Sequence, residues 1–194
     1  MKDKKLTILV EGAIMIALAT VLSYIRVYKL LWGGSITLLS MLPVVIFSIK
    51  HGVKYGLTVS FIFSLVQLLQ GIMDGLFGWG LTSGMLVACI LFDYILAFSV
   101  LGIAGIFRKQ GFFGWLLGII LALMLRYACH FTTGVVIWKS VGALWDGFST
   151  DNFWLYSLLY NGSYMLPEII FTTIGAAIML KLPQIKGLVA PADK

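Results

Sequence analysis

Six apolar stretches, residues 6–24, 36–49, 55–72, 80–107, 112–137 and 156–182, occupy most of this chain and limit what it can fold into. A helix rises about 1.5 Å per residue, so about 20 apolar residues cross a hydrocarbon core of about 30 Å. The second stretch is shorter, and Pro43 within it predicts a kink or an oblique path. The fourth is long enough to tilt or to begin in an interfacial turn. The stretches are continuously apolar instead of alternating, and too few for a barrel, so strands are a poor alternative. Only 11% of the 194 residues are charged, against roughly a quarter in a soluble domain. The expectation is an all-α integral membrane protein, a single domain over residues 1–194 with six transmembrane helices.

The connectors give it a direction. With the N-terminus in the cytoplasm, Lys2, Lys4, Lys5, Lys50, Lys54, Arg108, Lys109, Lys181, Lys186 and Lys194 lie inside. Only Arg26, Lys29 and Lys139 lie outside, and the positive-inside rule then sets both termini in the cytoplasm of a multi-pass protein of the cell membrane. The net charge of +6 therefore orients the chain and implies no nucleic-acid partner. The outward connectors hold Trp32, Asp74, Trp79, Trp145, Asp146, Asp151 and Trp154, an acidic and aromatic inventory suited to capturing a cation. Lys2, Lys4, Lys5 and Ala17-Leu18-Ala19 have the outline of a signal peptide, but Glu11 interrupts the apolar core such a peptide requires.

No GxxxxGK[ST], HExxH or GxSxG sequence occurs, so the chain has no visible means of hydrolysing ATP and no obvious covalent chemistry. Cys89 and Cys129 lie within apolar stretches and form neither a disulfide framework nor a paired-cysteine metal site. Cys129 and His130 are adjacent and point to different helix faces, which argues against a thiolate–imidazole couple. No cofactor and no metal are expected.

The informative residues are the polar ones inside the membrane, where a charge costs roughly 2.5–3.5 kcal/mol and normally turns inward. Asp93 lies far from either end of the fourth stretch. In the fifth, Arg126, His130, Gly134 and Trp138 recur every four residues and form one slowly turning stripe. Gly134 predicts a gap in that stripe where a flat group could approach the backbone. The sixth opens with Tyr156, Tyr160 and Asn161, followed by Tyr164, Pro167 and Glu168. Singly, each has an ordinary reading. Asp93 and Arg126 could be a structural ion pair, His130 a packing residue, the aromatics an interfacial belt. Glu168 could satisfy backbone groups freed by Pro167, and Glu11 could snorkel. Together they put acid, base, imidazole, amide and aromatic groups into the outer half of three helices. A pocket built this way suits a small, flat, nitrogen-rich cation, held through cation–π attraction and charge pairing. Thiamine fits that description, although composition alone does not single it out from other cationic heterocycles.

Asp93-Tyr94 with the Leu101–Phe107 run, Arg126-Tyr127-x-x-His130-Phe131-x-x-Gly134-x-x-x-Trp138, and Tyr156-Ser157-Leu158-x-x-Asn161-Gly162 resemble the thiamine-specific S components of energy-coupling factor transporters over nearly the whole chain. The resemblance implies thiamine as ligand, with Trp138 stacking on a ring, His130 against the substrate, and Tyr156 and Asn161 as hydrogen-bonding residues. Asp93 occupies the family's acidic position and Tyr94 its neighbour. It also implies partners: a transmembrane coupling subunit, met through Ala13-x3-Ala17 on the first span, and the two ATPase subunits that drive it. Gly52-x3-Gly56 and Gly114-x3-Gly118 could equally pack helices, since small residues four apart permit close approach. The chain departs from the family in carrying Asp93 for Glu and Arg126 for Lys, and its loop 26–35 aligns poorly around Trp32, the candidate lid aromatic. Three rival readings stand beside this one. They are an S component for another vitamin or a thiamine precursor, a membrane enzyme using Asp93, Arg126 and His130, and a secondary transporter driven through Asp93 or Glu168.

Overall fold

The computed structural model describes residues 2–30 and 33–189. Helix α1 (Lys2–Tyr24) leads into an antiparallel hairpin, β1 (Arg26–Lys29) and β2 (Ser35–Thr37), with Arg26 opposite Thr37 and Lys29 opposite Ser35. Helices α2 (Leu42–His51) and α3 (Val53–Met73) follow. The next run changes winding several times: α4 (Ser83–Cys89), a π-helical turn Ile90–Leu96, α5 (Ala97–Ser99) and a 3-10 stretch Val100–Gln110. Then come α6 (Gly111–Thr133), a second π-helical turn Gly134–Trp138, the hairpin β3 (Gly142–Trp145) and β4 (Phe148–Thr150), α7 (Phe153–Lys181) and α8 (Pro183–Val189).

Among the described residues, four helical stretches are long and apolar enough to cross a membrane: Lys4–Tyr24, Val53–Met73, Ser83–Trp138 and Phe153–Lys181. The third is two helices folded against each other. Phe107 leaves helical geometry (φ −100°, ψ 21°), and Gly111 has φ +71°, a conformation that favours glycine. Beyond this reversal the arms run antiparallel. An added Cβ at Gly118 would lie 2.1 Å from the Ala104 carbonyl, Arg126 covers the Phe98 ring, and His130 meets Asp93. The exterior is apolar, with Leu9, Met73, Phe113 and Ile178 all more than 60% exposed, while Arg126, Asn161 and Glu168 are buried. Such an inverted distribution belongs to a helical membrane protein.

The second apolar stretch departs from its expected form. Helix starts only at Leu42, and residues 35–37 are strand. Pro43 occupies the first helical turn, where its missing N–H is not needed, so it starts α2 instead of kinking it. Leu42 through Ile49 are all buried. Ten residues span only about 15 Å, half a hydrocarbon core. The β1–β2 hairpin folds over the space left above α2, and that space is the cavity described below.

Elsewhere helices meet through glycine. Ser48 donates to the Gly102 carbonyl at 2.5 Å and accepts from the Gly105 N–H at 3.0 Å, and Gly56 faces both Ser48 and Gly102. Gly56 and Gly118 thus serve packing within the chain. Glu11 does not snorkel: it bonds Lys50 at 2.8 Å and His51 at 2.7 Å, tying α1 to the end of α2. The two hairpins add short strands to an otherwise helical fold. In the second, Asp146-Gly147 forms a two-residue turn, and Trp145 stacks on Phe148 at 5.5 Å.

Candidate functional site

A cavity of about 310 Å³ opens between the β1–β2 hairpin and the helix ends around it, near the lower bound of roughly 300–1,000 Å³ usual for small-molecule sites. Asp93, Tyr94, Arg126, His130, Gly134, Trp138, Tyr156 and Asn161 all line it. Trp32, like Lys194, lies outside the described residues. Asp93 and Tyr94 sit in the first π-helical turn, and Gly134 and Trp138 in the second. Wider π turns inside α-helices mark functional sites frequently. Each residue there also advances through less than the 100° of an α-helix, which straightens the end of the stripe from Arg126 to Trp138.

Asp93 is held from three sides. Its Oδ1 accepts from Thr133 Oγ1 at 2.5 Å and bonds His130 Nδ1 at 3.0 Å, and Cys89 Sγ donates to Oδ2 at 3.4 Å. With Nδ1–H directed at the carboxylate, His130 keeps Nε2 as an acceptor, and Nε2 has no partner among the described residues. The structural ion pair that Asp93 and Arg126 could have made does not form. Arg126 instead lies 4.2 Å over the Phe98 ring and donates to Met41 Sδ at 2.9 Å, with no carboxylate within 4.0 Å among the described residues.

Helix α7 supplies an aromatic wall. Tyr156, Tyr160 and Tyr164 follow one another at helical spacing, with ring centroids 6.2 and 6.1 Å apart, and Tyr164 meets His130 edge-on at 5.9 Å. The gap expected at Gly134 is filled. A Cβ there would lie 2.1 Å from Ser157 Oγ, so glycine lets α6 and α7 close together. Across that contact Ser157 donates to the Phe131 carbonyl at 2.8 Å and Asn161 Nδ2 to the His130 carbonyl at 3.2 Å. Asn161 Oδ1 accepts from Tyr164 at 2.8 Å.

The mouth carries residues that the sequence reading left out of the site. Trp79 meets Trp138 edge-on at 5.6 Å, and Gly33 packs against Trp79. Arg26 bonds Asp74 at 2.6 Å, with Lys29 at 3.5 Å, fastening the hairpin to the end of α3. Partial burial pushes the Asp74 carboxyl up, but hydrogen bonds and charge from Arg26 and Lys29 outweigh this and hold it below the ordinary carboxylate range. A depressed carboxylate stabilises the fold above its unfolded pKa, and that contribution fades as pH falls through the folded value. Hydrogen-exchange protection of residues 26–30 and 33–37, taken relative to the intrinsic rate at each pH, is therefore expected to hold at neutral pH and to fall only below about pH 4. Asp74→Asn should make exchange fast at pH 7 and remove the acid response; an unaltered profile in that variant would refute the tether. Thr37, Thr133, Tyr160, Tyr164 and Glu168 also line the cavity. The four-residue spacing of the tyrosines was a usable signal, whereas nothing in the sequence brought Thr37 to Glu168.

On the lipid-facing side of α1, Ala13 and Ala17 are exposed and line a shallow groove with Ile16, Phe47, Tyr55 and Val59. They face outward, whereas Gly56 and Gly118 face neighbouring helices of the chain.

Residues 9–186 match the family model described as "Thiamine transporter protein (Thia_YuaJ)". The curated thiamine transporter ThiT of Bacillus subtilis is 33% identical over 187 residues, covering 89% of this chain and 90% of that protein. ThiT of Lacticaseibacillus paracasei is 25% identical, covering 95% and 92%. A solved structure of ThiT from Listeria monocytogenes superposes with a TM-score of 0.72 at 26% identity, covering 97% of this chain and all of that one. Apolar helices and relatives agree on a multi-pass protein of the cell membrane. The chain belongs to the thiamine transporter family.

Proposed function

We propose that this chain is the substrate-binding component of an energy-coupling factor importer, taking thiamine from the extracellular side and delivering it inward with partner ATPases. Its relatives are transport proteins, and so is this chain, which removes the membrane-enzyme reading of Asp93, Arg126 and His130. The observation that carries the proposal is the single cavity shared by Asp93, Tyr94, His130, Trp138, Tyr156 and Asn161. In it Trp138 and the tyrosines face the rings of the vitamin, and cation–π attraction favours the thiazolium. Tyr156, Asn161 and the free His130 Nε2 offer hydrogen bonds to the aminopyrimidine. Asp93 and Glu168 supply negative charge, and Arg126 moderates it.

The topology that goes with this function has six membrane spans. The 83–138 stretch provides two of them, α2 with its hairpin one, and both termini face the cytoplasm. That orientation opens the cavity outward beneath the β1–β2 lid. Ala13 and Ala17, exposed on α1 and small enough for close helix approach, are the contact for the coupling subunit.

Isothermal titration of the purified protein with thiamine tests the ligand. Submicromolar affinity is expected, with the isolated pyrimidine and thiazole halves far weaker. A protein that gives neither binding heat nor tryptophan quenching with thiamine has another ligand.

A further inference from the structure

We propose that Glu168 is a ligand-binding residue of this cavity, the carboxylate that balances the bound cation and ties its binding to the hairpin over the site. The inference rests on the thiamine reading. Glu168 is 1% exposed and lines the cavity from α7. Its Oε1 accepts from the Thr37 N–H at 2.5 Å and from Thr37 Oγ1 at 2.7 Å, both on β2. Its Oε2 has no hydrogen-bond partner among the described residues and is closed off from solvent. A buried acceptor left unpaired is unfavourable, more so when it is charged, and a cation or N–H donor from a ligand relieves it.

Two alternative explanations for Glu168 fail on this chemistry. Pro167 frees a carbonyl in the preceding turn, but an ionised carboxylate has no proton to donate to it. Arg126 is the nearest candidate for an internal counter-charge, yet no ion pair within 4.0 Å joins them. Asp93, the acid that the sequence pattern favours, has both oxygens engaged by His130, Thr133 and Cys89. Its geometry orients the imidazole. Glu168 keeps the uncommitted oxygen.

Charge points the same way. At the mouth Asp74 is already held by Arg26 and Lys29 and has no charge to spare for a ligand. Deeper in, two carboxylates, Asp93 and Glu168, share the wall with one guanidinium, Arg126, leaving one negative charge for a monocation to complete. Because Oε1 holds Thr37, a ligand drawn to Oε2 is linked through one side chain to β2.

The experiment compares thiamine with a neutral isostere in which carbon replaces the thiazolium nitrogen, titrated into wild type and Glu168→Gln. Glu168→Gln is expected to weaken thiamine by at least about 30-fold and the isostere by less than about threefold, since the lost interaction is a partly desolvated charge pair. Equal loss for both ligands, or no loss for thiamine, overturns the proposal while leaving the thiamine reading intact. Wild type that fails to bind thiamine overturns both. Should Glu168→Gln not fold, Glu168→Met, apolar and similar in length, takes its place with the same expectations. If neither variant folds, Glu168 is structural and the proposal is wrong.

Discussion

Replacing Asp93 with alanine is expected to weaken thiamine binding by at least about 100-fold, or about 2.7 kcal/mol. Two losses combine. The carboxylate is one of two negative charges on a largely dehydrated wall that also carries Arg126, and without it the wall keeps no net negative charge to attract a cation. It also leaves the buried His130 Nδ1 and the Thr133 hydroxyl without their acceptor, which costs about 1–3 kcal/mol per group and frees the imidazole to rotate. Asp93→Asn keeps one acceptor oxygen and is expected to fall between alanine and wild type. Unchanged affinity in Asp93→Ala, with folding intact, would assign the residue to structure alone.

The largest effect on stability is expected at Gly118. Its Cβ position lies 2.1 Å from the Ala104 carbonyl oxygen, and the clashing atom is backbone, unable to swing aside. Gly118→Val must push α6 away from the 3-10 stretch that carries Ala104, opening the contact that aligns Asp93 with His130. Overpacking of this kind costs about 3 kcal/mol or more. Thermal unfolding in detergent should show a clear fall in midpoint, with ligand binding lost alongside. Gly84 provides the control: nothing lies within 4 Å of its Cβ position, so Gly84→Ala should be neutral or stabilising by up to about 1 kcal/mol. A Gly118→Val protein as stable as Gly84→Ala would refute the close-packing account.

Much of the site was legible because lipid makes buried polar groups expensive, so the few that remain have a reason to be there. The four-residue recurrence from Arg126 to Trp138, the isolation of Asp93 and the tyrosines with Asn161 that open the last stretch marked three walls of the cavity. Which basic residue faces Asp93 was not legible. A reversal centred midway between Phe107 and Phe112 sets residue 93 opposite residue 126. The chain instead reverses at Gln110 and Gly111, after a 3-10 stretch, and the register moves one helical turn, to His130. Apolarity likewise could not divide residues 36–49 into strand, connector and helix, because Ile36, Leu38 and Leu39 suit any of them. The Asp146-Gly147 pair, by contrast, is a strong hairpin signal in the sequence itself. The pairing of Thr37 with Glu168 joins residues 131 apart and left no local trace.

The brevity of α2 bears on how far apart the two ends of the molecule are in mechanical terms. Met41, immediately before it, touches Arg126 at the floor of the cavity, while Lys50 and His51 at its other end grip Glu11 of α1. Only about 15 Å of stiff rod separates those contacts, and packing on every side leaves it little freedom except along or about its own axis. A small displacement of the floor is therefore carried to the flank of α1 at Glu11, two residues from the exposed Ala13.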